Sequence, residues 1–376
     1  MKRILALVLC IVMAVAAVAC TTDPAKTTPT PNTPDAPTTK DYKLGMGIVV
    51  SMASSAQDNA QVDATVAAVV TDADGKIVAC RIDAVQNKMS IKNGAVDTAA
   101  TFQTKMEKGT NYNMATWGAN QDNNGDGVVK EWFEQAKAFE AWTVGKTAAQ
   151  VEAMPTQVLD NDFGTAGYVI SADADLLAAG CTIQTGDFVD AVVKACNDAQ
   201  GMSFKAEEGK FTLGVAATST VDKATVAATE AAAGTVAMYS DFAASVVADG
   251  KIIASLNDAI QPKIAITAAG VPTPAEFKGT KREVKEGYNM ATWGANQDNN
   301  GDGKVLEWYL QSAEFSKFVV GKTAAEVEAM PTQVLDNDFG TKGYVISADA
   351  DLLAAGCTIQ ITAITAVVAQ AANNAR

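Results

Sequence analysis

The sequence predicts an α+β protein built from two tandem copies of one domain, each an N-terminal β-hairpin and sheet followed by helices. Three observations carry that prediction. Residues 112–183 recur at 288–359, both copies containing YNMATWGANQDNNGDG, VGKTAA, VEAMPTQVLDNDFGT and GYVISADADLLAAGCTI. Upstream, residues 71–88 (TDADGKIVACRIDAVQNK) match 247–263 (VADGKIIASLNDAIQPK) more loosely but in phase. Within each copy, Val- and Ile-rich runs joined by turn residues come first and helical periodicity follows. The period is far longer than a solenoid repeat, and a copy of roughly 160 residues is an ordinary domain size. The boundary is expected near Ala206, in the polar stretch 205–210, which makes repeat 1 residues 42–205 and repeat 2 residues 206–376.

From the N-terminus, Met1, Lys2 and Arg3 form a basic start and residues 4–19 an apolar run too short to span a bilayer comfortably. The run ends Ala17-Val18-Ala19-Cys20, a signal-peptide layout that resembles the lipobox of bacterial lipoproteins, with Ala17 where Leu is more usual. That resemblance implies cleavage after residue 19, lipidation of Cys20 and an extracytoplasmic location on the bacterial cell membrane. An ordinary secretory signal is the plainer alternative. Cleavage removes Lys2 and Arg3 and no acid, so the charge moves from -14 to -16. Residues 21–40 hold Pro24, Pro29, Pro31, Pro34 and Pro37 among many threonines. Such a composition buries no core, so residues 20–41 read as the lipidated cysteine and a tether.

In repeat 1, residues 64–71 and 76–83 are expected as strands joined by Asp72-Ala73-Asp74-Gly75. Repeat 2 has the same hairpin around Ala248-Asp249-Gly250, and residues 88–92 and 263–267 suggest a third strand in each copy. Residues 131–142 are amphipathic, and Thr147 with Gln150, like Thr323 with Glu326, fits a capping box in a helix stopped by Pro155 or Pro331. Residues 168–170 and 344–346 are expected to return to the sheet before a short Asp-rich helix. A terminal helix then places Phe188, Val192 and Cys196 on one face, matched by Ile364, Val368 and Ala372.

Composition excludes whole classes. With no histidine there is no Ser-His-Asp or Cys-His nucleophile pair, no HExxH zinc site and no histidine acid or base. A formal charge of -14 repels phosphate backbones, so nucleic acid is not an expected partner. Six cysteines are too few for a disulfide scaffold in so long a chain. Cys181 and Cys357 are equivalent, but Cys80 aligns with Ser255 and Cys196 with Ala372, which argues against a duplicated redox dithiol.

Two constellations stand out. In the first, Asp122, Asn124, Asp126 and Gly127 take positions one, three, five and six of an acidic loop, repeated by Asp298, Asn300, Asp302 and Gly303. Alternating oxygen side chains before a sharp Gly turn resemble the first half of an EF-hand or dockerin calcium loop. Position twelve, where an acid should close the site, is Phe133 or Tyr309, and the nearest shared acid is Glu131 or Glu307 at position ten. A structural calcium ion and a solvated Asn/Gly turn are the two readings.

The second lies near each repeat's end, where Asp175, Gly180, Cys181 and Thr182 recur as Asp351, Gly356, Cys357 and Thr358. Together with the DGKIVACRID hairpin and the terminal Ala/Val helix, this order resembles the FMN-binding domain of membrane electron-transfer complexes and extracellular electron-transfer lipoproteins. That family's motif reads approximately D-x-x-S-G-A-T-x-T, and its Thr is esterified to the FMN phosphate by a flavin transferase. The resemblance implies Thr182 and Thr358 as acceptors, Asp175 and Asp351 as the motif acid, and Gly180 and Gly356 as the small residue beside the phosphate. The acid-to-Thr spacing is one residue longer here, Cys replaces Ala, and Gln184 or Gln360 stands where a second Thr is common. The expected function is a lipid-anchored electron carrier with flavin at each repeat and redox partners outside the membrane. The alternative is a non-enzymatic surface lipoprotein with calcium-braced domains that bind a ligand or partner. Trp117, Trp132, Trp293 and Trp308 recur with the loop and either pack the core or stack on a ring ligand. Asp160, Asp162, Asp336 and Asp338 are paired carboxylates expected at the surface of so acidic a chain.

Overall fold

A computed structural model of the protein describes residues 38–376 apart from 115, 117–121, 161–165, 291, 293–297, 337–339 and 341. The signal segment, Cys20, the tether up to residue 37, Trp117, Trp293, Asp162 and Asp338 lie outside the described residues. Among the described residues no helix is long and apolar enough to cross a membrane.

Repeat 1 runs β1 (Thr39–Ser51), β2 (Asn59–Asp72), β3 (Ile77–Ser90), α1 (Lys105–Lys108), α2 (Trp132–Thr143), α3 (Ala148–Glu152), β4 (Thr156–Val158), β5 (Val169–Ser171), α4 (Ala174–Ala178), α5 (Gly186–Cys196) and β6 (Met202–Glu207). Repeat 2 follows with β7 (Thr212–Val221), β8 (Gly234–Ala248), β9 (Lys251–Ile260), β10 (Lys263–Ile266), β11 (Pro272–Pro274), α6 (Lys281–Val284), α7 (Trp308–Phe318), α8 (Ala324–Glu328), β12 (Thr332–Val334), β13 (Val345–Ser347), α9 (Ala350–Ala354) and α10 (Thr362–Asn373). The α+β class, with antiparallel sheets followed by helices, stands as predicted. The hairpins are β2–β3 and β8–β9, and both predicted capping boxes form at Thr147 and Thr323. Six strands, β1, β4, β6, β7, β11 and β12, have no counterpart in the sequence reading. β6 crosses the expected boundary at Ala206 and pairs with β1, Tyr42 opposite Phe204. The third strand of repeat 1 is the end of β3, whereas in repeat 2 it is the separate β10. The predicted return strands β5 and β13 pair with β4 and β12 in two small sheets of their own.

The two larger sheets are β3-β2-β1-β6 and β11-β10-β8-β7, with β9 also on β8. They share one core. Successive strand side chains point to opposite faces, so in β2 Val62, Ala64, Val66, Ala68 and Val70 enter the core between the sheets, together with Leu213, Phe242, Val246 and Leu256 of repeat 2. Ala67 and Val69 face the other way, onto the helices of repeat 1 with Phe139, Phe188 and Val192. Repeat 2 does the same with Ala243 and Ile252 against Phe315, Val367 and Val368. The order of layers is therefore helices, sheet, sheet, helices. Burial on both faces explains why the strands read as continuous apolar runs.

The helices sit close because small residues meet. A Cβ on Gly214 of β7 would lie 1.9 Å from the carbonyl oxygen of Ala371 in α10, and one on Gly45 of β1 would lie 1.9 Å from that of Ala195 in α5. Gly214→Ala is expected to force α10 off the sheet and lower stability by about 1–3 kcal/mol, as overpacking does, read by urea unfolding. Between the sheets, Asn87 of β3 is fully buried and neither of its amide atoms has a hydrogen-bond partner. Asn87→Leu removes both stranded groups at similar volume and is expected to raise stability by about 1–3 kcal/mol in the same measurement.

Two ion pairs tie the repeats, the first of them buried. Arg282 of α6 reaches Asp198, just past α5, at 3.1 Å, and Arg376 reaches Glu140 of α2 at 2.8 Å.

Candidate functional site

The two predicted constellations meet in space. Asn123 and Asn299, buried within the acidic loops, donate from Nδ2 to the carbonyl oxygens of Thr182 (2.8 Å) and Thr358 (2.9 Å). From the other side, Gln135 of α2 accepts from the Thr182 backbone N–H at 2.8 Å, and Gln311 of α7 from that of Thr358 at 2.7 Å. The Thr182 and Thr358 hydroxyls are buried and donate to the same glutamine oxygens at 3.5 and 3.4 Å. Cys181 and Cys357 are fully buried free thiols, pushed up to about 12 by desolvation, which leaves them unreactive. Asp175 and Asp351 are exposed in the first turns of α4 and α9. Gly180 and Gly356 follow those helices with φ of 79° and 86°, and a Cβ there would strike Lys130 at 2.7 Å or Leu306 at 2.5 Å.

The acidic loops are closed by their own backbone. Asp122 accepts from the Asp126 and Gly127 N–H groups, both at 3.1 Å, Asn124 donates to Asp126 at 2.9 Å, and Asp298, Asn300 and Asp302 repeat the pattern. Glu131 and Glu307 accept from the backbone N–H of Met114 (3.0 Å) and Met290 (2.9 Å). Among the described residues no three acidic or cysteine side chains converge where a metal ion could be held. Asp160 and Asp336 are exposed.

The chemically unusual groups lie upstream, on β8, β9 and α6. α6 opens with a capping box between Thr280 and Glu283, and its backbone at Arg282 donates to buried Asp258 of β9 at 3.0 Å. This docking turns Lys281 inward, 5% exposed. Its ammonium group donates to the Tyr239 hydroxyl at 2.6 Å and lies 4.4, 4.5 and 5.1 Å from the ring centres of Tyr239, Tyr288 and Trp308. Burial holds the Lys281 amine well below the usual lysine range, opposed by the carboxylates of Asp241, Asp258 and Asp222. Burial raises Asp241 in turn, and the Lys281 charge opposes that rise. Tyr288 donates to Gln261 at 2.8 Å, and Gln261 to Asp222 at 3.3 Å.

Lys281, Tyr239, Tyr288, Trp308, Asp241, Asp222 and Gln261 wall a cavity of about 390 Å³ between β7, β8 and α10, and Tyr344, Thr218, Thr220, Lys223, Ile359 and Gln360 are also in its lining. Repeat 1 keeps the same frame. Thr104 caps α1, Asp83 accepts from the Met106 N–H at 3.1 Å, and Lys105 lies 5.1 and 5.4 Å from the rings of Tyr112 and Trp132. At the positions of Tyr239, Asp241 and Ile364, however, repeat 1 carries Asp63, Thr65 and Phe188, and Phe188 packs edge-on to Trp132. Sequence reasoning singled out Trp308 but missed Lys281, Tyr239 and Asp241. The signal was present in the repeated Thr-Lys-x-Glu at 104–107 and 280–283, which fits a capping box.

Set against known proteins, the chain matches no family model, no curated protein and no solved structure.

Proposed function

We propose that the chain is a lipid-anchored extracytoplasmic binding protein whose second repeat takes a small, flat ligand. The observation that carries this reading is the aromatic cavity over Lys281. Its volume of about 390 Å³ falls in the range of small-molecule sites, which are mostly apolar with a few convergent polar groups. Trp308, Tyr288, Tyr239 and Tyr344 offer ring faces, while Asp222, Lys223, Gln261 and Gln360 offer polar contacts at the wall. Thermal melting of the full chain against a panel of flavins, aromatic metabolites and saccharides tests it: a true ligand raises the melting temperature in proportion to its occupancy. Trp308→Leu is expected to weaken that ligand about tenfold, since an aromatic stack contributes about 0.5–1.5 kcal/mol beyond area burial. A panel without any stabilising compound, or equal affinity in the variant, counts against the cavity as the site.

A flavin is the second reading, favoured by the place of Ile359 and Gln360, which follow Thr358 and line the cavity. The protein would then be an electron carrier, with the flavin supplying the redox chemistry and the chain positioning it. Covalent attachment requires the Thr358 hydroxyl to leave Gln311 and turn outward. Intact mass and in-gel flavin fluorescence of protein from its native host, with Thr182→Ala and Thr358→Ala, decide it: an added FMN mass lost with its own threonine supports esterification.

A further inference from the structure

Resting on the binding reading above, we propose that Lys281 is an imine-forming lysine whose amine condenses with the carbonyl carbon of a small aromatic aldehyde held in the cavity. The cavity wall brings together what that step needs. An amine surrounded by three rings is poorly hydrated, and desolvation favours its neutral, nucleophilic form. Asp222, Asp241 and Asp258, from the segment after β7 and from β8 and β9, are the carboxylates facing it, and Tyr239 and Tyr288 are the facing phenols. Buried Tyr239 is held above the usual phenol range, so it keeps its proton and serves as a neutral hydrogen-bond partner.

The amine nitrogen attacks the carbonyl carbon, and the carbon–nitrogen bond forms as the carbonyl π bond breaks. A proton passes from nitrogen to oxygen, giving a carbinolamine. The carboxyl group of Asp241, which lines the same cavity and whose neutral form burial favours, donates to the hydroxyl, and the oxygen leaves as water. The imine nitrogen returns its last proton to Asp241. One amine and one aldehyde thus give one imine and one water, with no change of oxidation state. The flat body of the aldehyde stacks on Trp308 or Tyr288. Lys105 is the internal comparison, because it has the rings of Tyr112 and Trp132 but Asp63 and Thr65 in place of Tyr239 and Asp241.

The full chain is treated briefly at pH 7.5 with pyridoxal and cyanoborohydride, which reduces an imine to a stable secondary amine, and labelled peptides are mapped by mass spectrometry. Lys281 is expected to label about tenfold faster than the exposed lysines, because each unit of lowered pKa raises the free-amine fraction about tenfold. Pyridoxine, which has an alcohol in place of the aldehyde, should slow that labelling by competition. Asp241→Asn should slow it at Lys281 and leave the exposed lysines unchanged. Labelling of exposed lysines with Lys281 untouched overturns the proposal. If pyridoxine still raises the melting temperature in a Trp308-dependent way, the binding reading survives that failure; if it does not, both fall for this ligand class.

Discussion

Arg282→Ala is expected to lower the free energy of unfolding by about 3–5 kcal/mol, the cost of leaving one partner of a buried ion pair uncompensated. The two side chains are only 7% and 9% exposed. Arg282 donates to both Asp198 oxygens, at 3.3 and 3.1 Å, and to the Gln200 carbonyl at 2.9 Å. Once it is gone, Asp198 keeps the Met46 and Gln200 backbone N–H groups, which solvate a carboxylate but do not neutralise it. The contact joins α6 of repeat 2 to the end of α5 in repeat 1, so the variant also loosens the seam between repeats. Urea unfolding of the wild type, each single variant and Arg282→Ala/Asp198→Ala gives the coupling directly. Lys40→Ala at the exposed Lys40–Glu208 pair is the control and should change nothing measurable. A loss below about 1 kcal/mol for Arg282→Ala would mean that water reaches Asp198.

How far the sequence announces this fold depends on which interaction each element uses. The β2–β3 and β8–β9 hairpins and the capped helices are set by local chemistry: turn residues, Thr caps, the stop at Pro155 and Pro331. Strand β1 is not, because Gly45 and Gly47 interrupt its apolar pattern to let α5 approach, a requirement that lies far along the chain. The pairing of β6 with β1 and the packing of sheet on sheet are likewise long-range choices. Strands such as β2 are apolar on both faces, so their pattern does not distinguish a neighbouring sheet from a helix layer.

The candidate site divides in the same way. Near-identity of the two copies drew the reading to the Asp-Asn-Asp-Gly loop and to Thr182 and Thr358. The structure has them bound to each other through Asn123, Asn299, Gln135 and Gln311. The cavity owes its character to positions where the copies diverge, Tyr239 against Asp63 and Asp241 against Thr65. A search for repetition passes over such positions. The lysine they surround is shared, but its chemistry comes from burial, which composition does not reveal.

Stability is expected to fall as pH rises from about 4 to about 7, and Asp83→Asn should remove a large part of that fall. Asp83 is 2% exposed, and desolvation pushes its carboxyl up to about 7 from an unfolded value near 3.8. Asp258, its counterpart under α6, is raised to about 6 for the same reason, with Arg282 opposing the rise. Between the unfolded and folded values the native state holds a proton that the unfolded chain has released, so the slope of unfolding free energy against pH is negative in that window. The penalty is absent below pH 4 and complete above pH 7. At one pKa unit per 1.36 kcal/mol, it reaches at most about 4 kcal/mol for Asp83. An asparagine oxygen can still accept from the Ala84 and Met106 N–H groups, which Asp83 Oδ1 now holds at 2.7 and 3.1 Å, so α1 stays docked. Chemical unfolding at pH 4 and pH 8 reads the effect. The variant should match the wild type at pH 4 and exceed it by a few kcal/mol at pH 8. Equal destabilisation at both would show that Asp83 is ionised in the folded protein and that its charge is held by Lys105, 105 being the position at which repeat 2 buries Lys281.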